Sequence, residues 1–214
     1  MKKVVLIGDS IRMGYDKYVK DALDGVAEVL YPEENCRFCQ YVLRNAHVWK
    51  RDLKWGDDVD LVHWNAGAWD LIELFGDEPL TPIEFYGQLV GRIDKRLRML
   101  FPNAKIVFAT NTHFLEKYGR RNMWRSNENI VKYNEVAKKV LEGTGTYINE
   151  LYELTKNIPE EYREDSTHFF KPEATEIVGS RVLSIICNLL DIKPNQINIK
   201  DFNPENYSSD DIAY

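Results

Sequence analysis

Five short apolar runs, at residues 3–7, 26–30, 59–64, 105–110 and 146–148, recur along the chain with little polar alternation. Runs of that length and character suit strands buried on both faces. Between them the apolar positions fall three or four apart, as in Tyr15, Tyr18, Val19 and Leu23, and again in Tyr86, Leu89, Val90, Ile93, Leu97 and Leu100. Ile130, Tyr133, Ala137, Val140 and Leu141 repeat the spacing, which puts an apolar stripe along one side of a helix. A last helix is predicted from Pro172, a residue suited to a first turn, with Ala174, Ile177, Val178, Val182, Ile185 and Leu189 on one face. Strands alternating with helices predict an α/β domain whose parallel sheet is covered on both sides.

Two segments break the rhythm. Residues 112–127 form a long stretch after the fourth strand, at the sheet edge where α/β proteins meet their ligands. Residues 192–214 are rich in Asn, Asp, Lys and Ser and read as a polar tail on a domain spanning 1–191. A length of 214 residues suits one such domain, with 44% apolar residues to fill its core.

The formal charge of -6 repels a phosphate polyanion on average and argues against a nucleic-acid partner. No apolar stretch is long enough to span a bilayer, and the opening MKKVVLIGDS lacks the apolar core of a secretory peptide. A soluble, cytoplasmic protein with no membrane partner is expected. Cys36, Cys39 and Cys187 are too few and too odd in number for a disulfide framework. Cys36 and Cys39 form a C-x-x-C, yet no second pair or nearby His cluster completes a zinc site, so buried thiols and no metal are expected.

A serine nucleophile needs a base within hydrogen-bond reach, a group that orients the base, and donors for an oxyanion. Ser10 follows the first strand directly and precedes a helix, which would bring its hydroxyl out at the C-terminal sheet edge with its own amide beside it. A helix N-cap is the plain alternative for such a serine. Asp165 and His168 lie three residues apart just before the last helix, a spacing that lets a carboxylate orient an imidazole. A histidine capping or solvating a helix start is the plain alternative there.

The segments V-V-L-I-G-D-S-I-R-M-G-Y, residues 4–15, and D-S-T-H-F, residues 165–169, resemble the first and last motif blocks of SGNH/GDSL hydrolases, in the family's order and separation. The resemblance implies a flavodoxin-like three-layer α/β/α fold with five parallel strands in the order 2-1-3-4-5. It implies Ser10 as nucleophile, Asp165 and His168 as its partners, and hydrolysis of carboxylic esters with no metal or cofactor. By the same analogy the substrates are small molecules or carbohydrates bearing an O-acetyl or other small acyl ester. A lipase or thioesterase with longer acyl chains, or a binding module on the same scaffold, is the alternative.

The middle blocks depart from the family pattern. Where it has G-x-N-D, this chain has Asn65-Ala66-Gly67-Ala68-Trp69-Asp70, which leaves Asn65 as the side-chain donor to the oxyanion. Where it has a glycine amide, this chain has Glu34-Asn35-Cys36-Arg37-Phe38, so the backbone N–H of Cys36 or Arg37, or the Asn35 side chain, takes that part. Ser10, Asn65 and Cys36 are thus expected in the oxyanion hole, and Asp9, Asn35, Trp69, His113 and Trp124 near the substrate. Trp69, Trp124 and Phe169 suggest an aromatic floor as well as ordinary packing. Arg120, Arg121 and Arg125 suggest either recognition of an acidic substrate or a solvated face. His63 falls inside a strand and reads as a satisfied core histidine.

Overall fold

Hydrophobic alternation along the strands builds two cores, one on each face of a single parallel sheet. The computed structural model describes residues 1–199. In chain order the elements are β1 (Lys2–Ile7), α1 (Ser10–Met13), α2 (Asp16–Ala22), β2 (Ala27–Leu30), α3 (Cys39–Asp52) and β3 (Leu61–Trp64). They continue with α4 (Ile83–Leu100), β4 (Lys105–Ala109), α5 (Asn127–Leu141), β5 (Tyr147–Asn149), α6 (Tyr152–Lys156) and α7 (Pro172–Leu190). The strand order is β2-β1-β3-β4-β5 with every neighbouring pair parallel, the architecture that the family resemblance implies.

Because side chains alternate across a strand, Val5 and Ile7, Val62 and Trp64, and Ile106 and Phe108 all point to the face covered by α3, α4 and α5. Val4 and Leu6, Leu61, and Val107 and Ala109 point to the opposite face, under α2 and α7. The register pairs Trp64 with Phe108, whose rings meet edge-on at 4.8 Å. His63 shares the second face and is fully buried. Asn149 Nδ2 donates to its Nε2 at 3.1 Å, and Tyr15 Oη lies 3.5 Å from its Nδ1. Burial without a countercharge pushes His63 down to about 3, so it is neutral wherever the protein is folded.

Helix α3 is absent from the sequence reading. Its buried positions Cys39, Val42, Ala46 and Trp49 keep helical spacing, but the row is one residue wide and includes a cysteine and an alanine. So narrow a row gives little periodic signal. The tail begins by packing: Ile192, Ile197 and Ile199 lie against the second core, and Asn195 donates its amide to the Ala22 carbonyl at 2.8 Å. The remainder of the expected tail, 200–214, lies outside the described residues. Among the described residues no helix is long and apolar enough to cross a membrane.

Candidate active site

Parallel strands end on one rim, and β1 delivers Ser10 there. Gly8 makes the turn possible by lacking a side chain: a Cβ at this position would lie 1.9 Å from Asn65 Oδ1, at the end of the adjacent β3. Asp9 caps α1 by accepting the Ile11 amide at 3.0 Å and takes a second bond from Asn65 Nδ2 at 2.9 Å. Burial raises the Asp9 carboxyl, and these two hydrogen bonds oppose the rise. Arg12 reaches under the turn to the Gly8 carbonyl at 3.4 Å and the Glu34 carbonyl at 2.6 Å. One turn along the chain, Asp16 pairs with Arg12, and both are fully buried.

The imidazole beside Ser10 comes from the loop before α7. His168 Nε2 lies 2.8 Å from Ser10 Oγ, and His168 Nδ1 lies 2.7 Å from Asp165 Oδ2. The other Asp165 oxygen accepts the backbone amides of Thr167 at 2.6 Å and His168 at 2.8 Å, so one carboxylate folds the loop and orients the ring. Burial would raise the Asp165 carboxyl. The bond and charge of His168 and the two backbone amides outweigh it and hold the group at about 2. An ionised Asp165 only accepts, which places the imidazole proton on Nδ1 and leaves Nε2 to accept from the serine. Phe170 stacks on the His168 ring at 4.8 Å, with planes 14° apart. Chain separation between Ser10 and His168 is 158 residues, and α7 packing on α2 carries the two segments together.

Ser10 and His168 open into a cleft of about 600 Å³. Trp69, Ile72, Leu115 and Met123 supply apolar wall, and Arg120, Arg125 and Glu164 supply polar wall.

Several expected site residues are placed elsewhere. The Cys36 amide already donates to the Gly8 carbonyl at 3.1 Å, and the Arg37 amide to Asn35 Oδ1 at 2.9 Å. Cys36 therefore braces the turn that carries Ser10, and Asn35 braces its own loop away from the cleft lining. Asp9 is fully buried and committed to its cap, so it belongs under the site. His113 turns its ring toward Tyr152 and Arg163, outside the Ser10 cleft, because its amide is held by Thr155 Oγ1 at 3.0 Å. Trp124 packs edge-on against Phe114 while its backbone exchanges both hydrogen bonds with Glu73, which turns it away from the cleft. Phe169 is buried in the second core, with the Arg163 guanidinium over its ring, so neither it nor Trp124 floors the cleft. Of the aromatic candidates, Trp69 alone lines the cleft, steadied by Phe38 at 5.5 Å.

Asn65 stays beside the turn, and its amide nitrogen carries a second hydrogen beyond the one given to Asp9. The Ser10 amide opens α1 and has no intrahelical acceptor. Asp70 accepts the Cys39 amide at 3.0 Å and so caps α3 from outside. Cys36 and Cys39 are free and buried, and burial pushes Cys36 up to about 11 and Cys39 well above the ordinary thiol value. Among the described residues no cluster of three or more His, Cys, Asp or Glu side chains could hold a metal. Sequence reasoning missed the part played by Arg12, which lies inside the first motif block but was given no role there. It also missed Phe170, one residue beyond the D-S-T-H-F block.

No protein-family model matches the chain, and no curated protein matches it. Solved structures do. A lipase/acylhydrolase from Enterococcus faecalis superimposes with a TM-score of 0.66 at 20% identity, over 92% of this chain and 100% of that one. A GDSL-like lipase from Bacteroides thetaiotaomicron gives 0.67 at 15%, over 87% and 88%. A psychrotrophic esterase from Pseudoalteromonas sp., in a form inhibited by monoethylphosphonate, gives 0.65 at 14%, over 89% and 100%. The chain shares its three-layer α/β/α fold with these proteins.

Proposed function

We propose that this chain is an SGNH/GDSL-type serine hydrolase that cleaves carboxylic esters through an acyl-enzyme on Ser10. The observation that carries the reading is the unbroken relay Ser10 Oγ, His168 Nε2, His168 Nδ1, Asp165 Oδ2, with contacts of 2.8 and 2.7 Å. In this mechanism Ser10 Oγ gives its proton to Nε2 as it bonds to the ester carbonyl carbon. Asp165 stabilises the resulting imidazolium. Negative charge on the carbonyl oxygen is met by the Ser10 amide and the second amide hydrogen of Asn65, the latter contributing on the order of 10²–10³ in rate. As the intermediate collapses the alcohol departs with the proton from Nε2. Water, deprotonated by the same nitrogen, then releases the acid and restores Ser10.

A cleft with mixed walls favours small acyl esters, such as O-acetyl groups on carbohydrates, as substrates. The apolar wall of Trp69, Ile72, Leu115 and Met123 favours the second reading, a lipase or thioesterase with longer acyl chains. Turnover of acetyl and long-acyl chromogenic esters separates the two. Fluorophosphonate labelling of the wild type, absent from Ser10→Ala, tests the reading as a whole. A wild type that neither labels nor turns over any ester is instead a binding module on this scaffold.

A further inference from the structure

The loop of residues 112–127 delivers two arginines to the cleft wall, Arg120 and Arg125, and of the two Arg125 is buried there. Arg125 is only 5% exposed, whereas Arg120 and Arg121 are far more open to solvent. Its Nε donates to the Ala68 carbonyl and its Nη1 to Thr167 Oγ1 at 3.4 Å, which ties the β3 exit to the loop carrying His168. Its remaining N–H donors have no acceptor among the described residues. The ring of Phe114 lies 5.9 Å from the guanidinium.

What sets Arg125 apart from the other buried arginines is a terminal nitrogen, Nη2, that bonds to nothing among the described residues. Arg12 has Asp16 at contact. Arg163 lines the same cleft with its Nε buried and unbonded, but commits both terminal nitrogens, Nη1 to the His113 carbonyl at 3.0 Å and Nη2 to the Thr155 carbonyl, and lies over Phe169. Arg125 has no carboxylate within ion-pair reach among the described residues. Asp9 and Asp165 act on it only through space, and burial pulls it down to about 10 against their charges. Removing a cation from water without a contacting anion costs several kcal/mol, so an arginine kept this way in a cleft wall is organised for an anion that arrives.

Resting on the hydrolase reading above, we propose that Arg125 makes the site selective for esters bearing a carboxylate near the scissile bond, that carboxylate serving as the missing ion-pair partner. Arg125 is a specificity residue in this view, since the relay is complete without it.

The test uses two isosteric pairs, so that the carboxylate sits on either side of the ester. On the acyl side, mono-4-nitrophenyl glutarate is compared with 4-nitrophenyl pentanoate. On the alcohol side, 3-carboxy-4-nitrophenyl acetate is compared with 4-nitrophenyl acetate. Within each pair the ratio of kcat/KM, corrected for spontaneous hydrolysis, cancels any loss caused by freeing Ala68 and Thr167. The wild type is expected to favour the charged member of one pair about tenfold or more, with Arg125→Gln bringing that ratio close to one and Arg125→Lys retaining part of it. Wild-type ratios at or below one in both pairs, or a preference that survives in Arg125→Gln, overturn the proposal. If Arg125→Gln does not fold, Arg125→Lys and competitive inhibition of pentanoate turnover by free glutarate decide the question in the same way. Should the wild type hydrolyse no ester, the function has failed separately, and calorimetry of glutarate against wild type and Arg125→Lys still reads the anion site: weaker binding to the variant supports it, equal or absent binding overturns it.

Discussion

Beneath Ser10 the polar groups are buried and held from more than one side, whereas the loop above it stands partly in solvent. Asp9, Arg12, Asp16 and Asn65 are almost wholly covered, and each is tied to the turn or to the strand beside it. Overhead, the Asp165 side chain is 50% exposed and that of His168 18%, both held by the hydrogen bonds of one short segment. The floor fixes where the nucleophile stands, and the loop supplies the proton acceptor. Breaking the floor should register as lost stability, and breaking the loop as lost rate.

Ser10→Ala is the sharpest test of that division. It should lower kcat/KM at least about 10⁴-fold, roughly 5.5 kcal/mol of barrier, while the melting temperature stays within a few degrees. Asp165→Asn should follow with a loss of about 10³–10⁴, since the amide favours the wrong tautomer, and again with little change in melting. Equal collapse of stability in either variant would erase the distinction. On the floor, Arg12→Met takes the guanidinium from the buried Asp16 carboxylate and should cost about 3–5 kcal/mol in denaturant unfolding. The double variant Arg12→Met/Asp16→Leu should recover much of it, because the stranded charge is gone.

His63 extends the comparison to pH. Its folded value of about 3 lies below the ordinary 6.5, so the unfolded chain binds a proton that the folded chain refuses. Stability is therefore full above 6.5 and falls as the pH drops toward 3. Between pH 7 and 5 the wild type should lose about 2 kcal/mol through this group, and His63→Gln should show a flatter profile by that amount. The smallest effect belongs to Phe170→Ala. Removing the ring stacked on His168 should reduce kcat/KM by a few-fold with unchanged melting, and a loss above about a hundredfold would mean that Phe170 shares with Asp165 the orienting of the imidazole.

What could be read from the chain follows the range of the interactions involved. The β1 turn and the D-x-x-H segment are local devices: Gly8, Asp9 and Ser10 are adjacent, and Asp165 closes a loop only three residues wide. The short apolar runs that mark the strands were equally local, and they placed the sheet to within a residue or two. Helix α3 escaped because its buried row is narrow and includes small residues. The middle of the site escaped for a different reason. Whether the Cys36 amide is free depends on the Gly8 carbonyl, 28 positions earlier, and nothing near Cys36 encodes that. Trp124 and Arg125 show how little separates the outcomes. The backbone pairing with Glu73 turns the tryptophan away and the adjacent arginine in, a choice made by a contact 51 residues distant.

Asp165 fastens to the Thr167 and His168 amides as well as to the imidazole, so the acceptor and its anchor form one rigid unit. If that unit swings off the rim, the serine loses both in the same instant, and no intermediate geometry keeps an oriented ring without its carboxylate. Any event that displaces this segment would switch turnover off outright instead of dimming it by degrees.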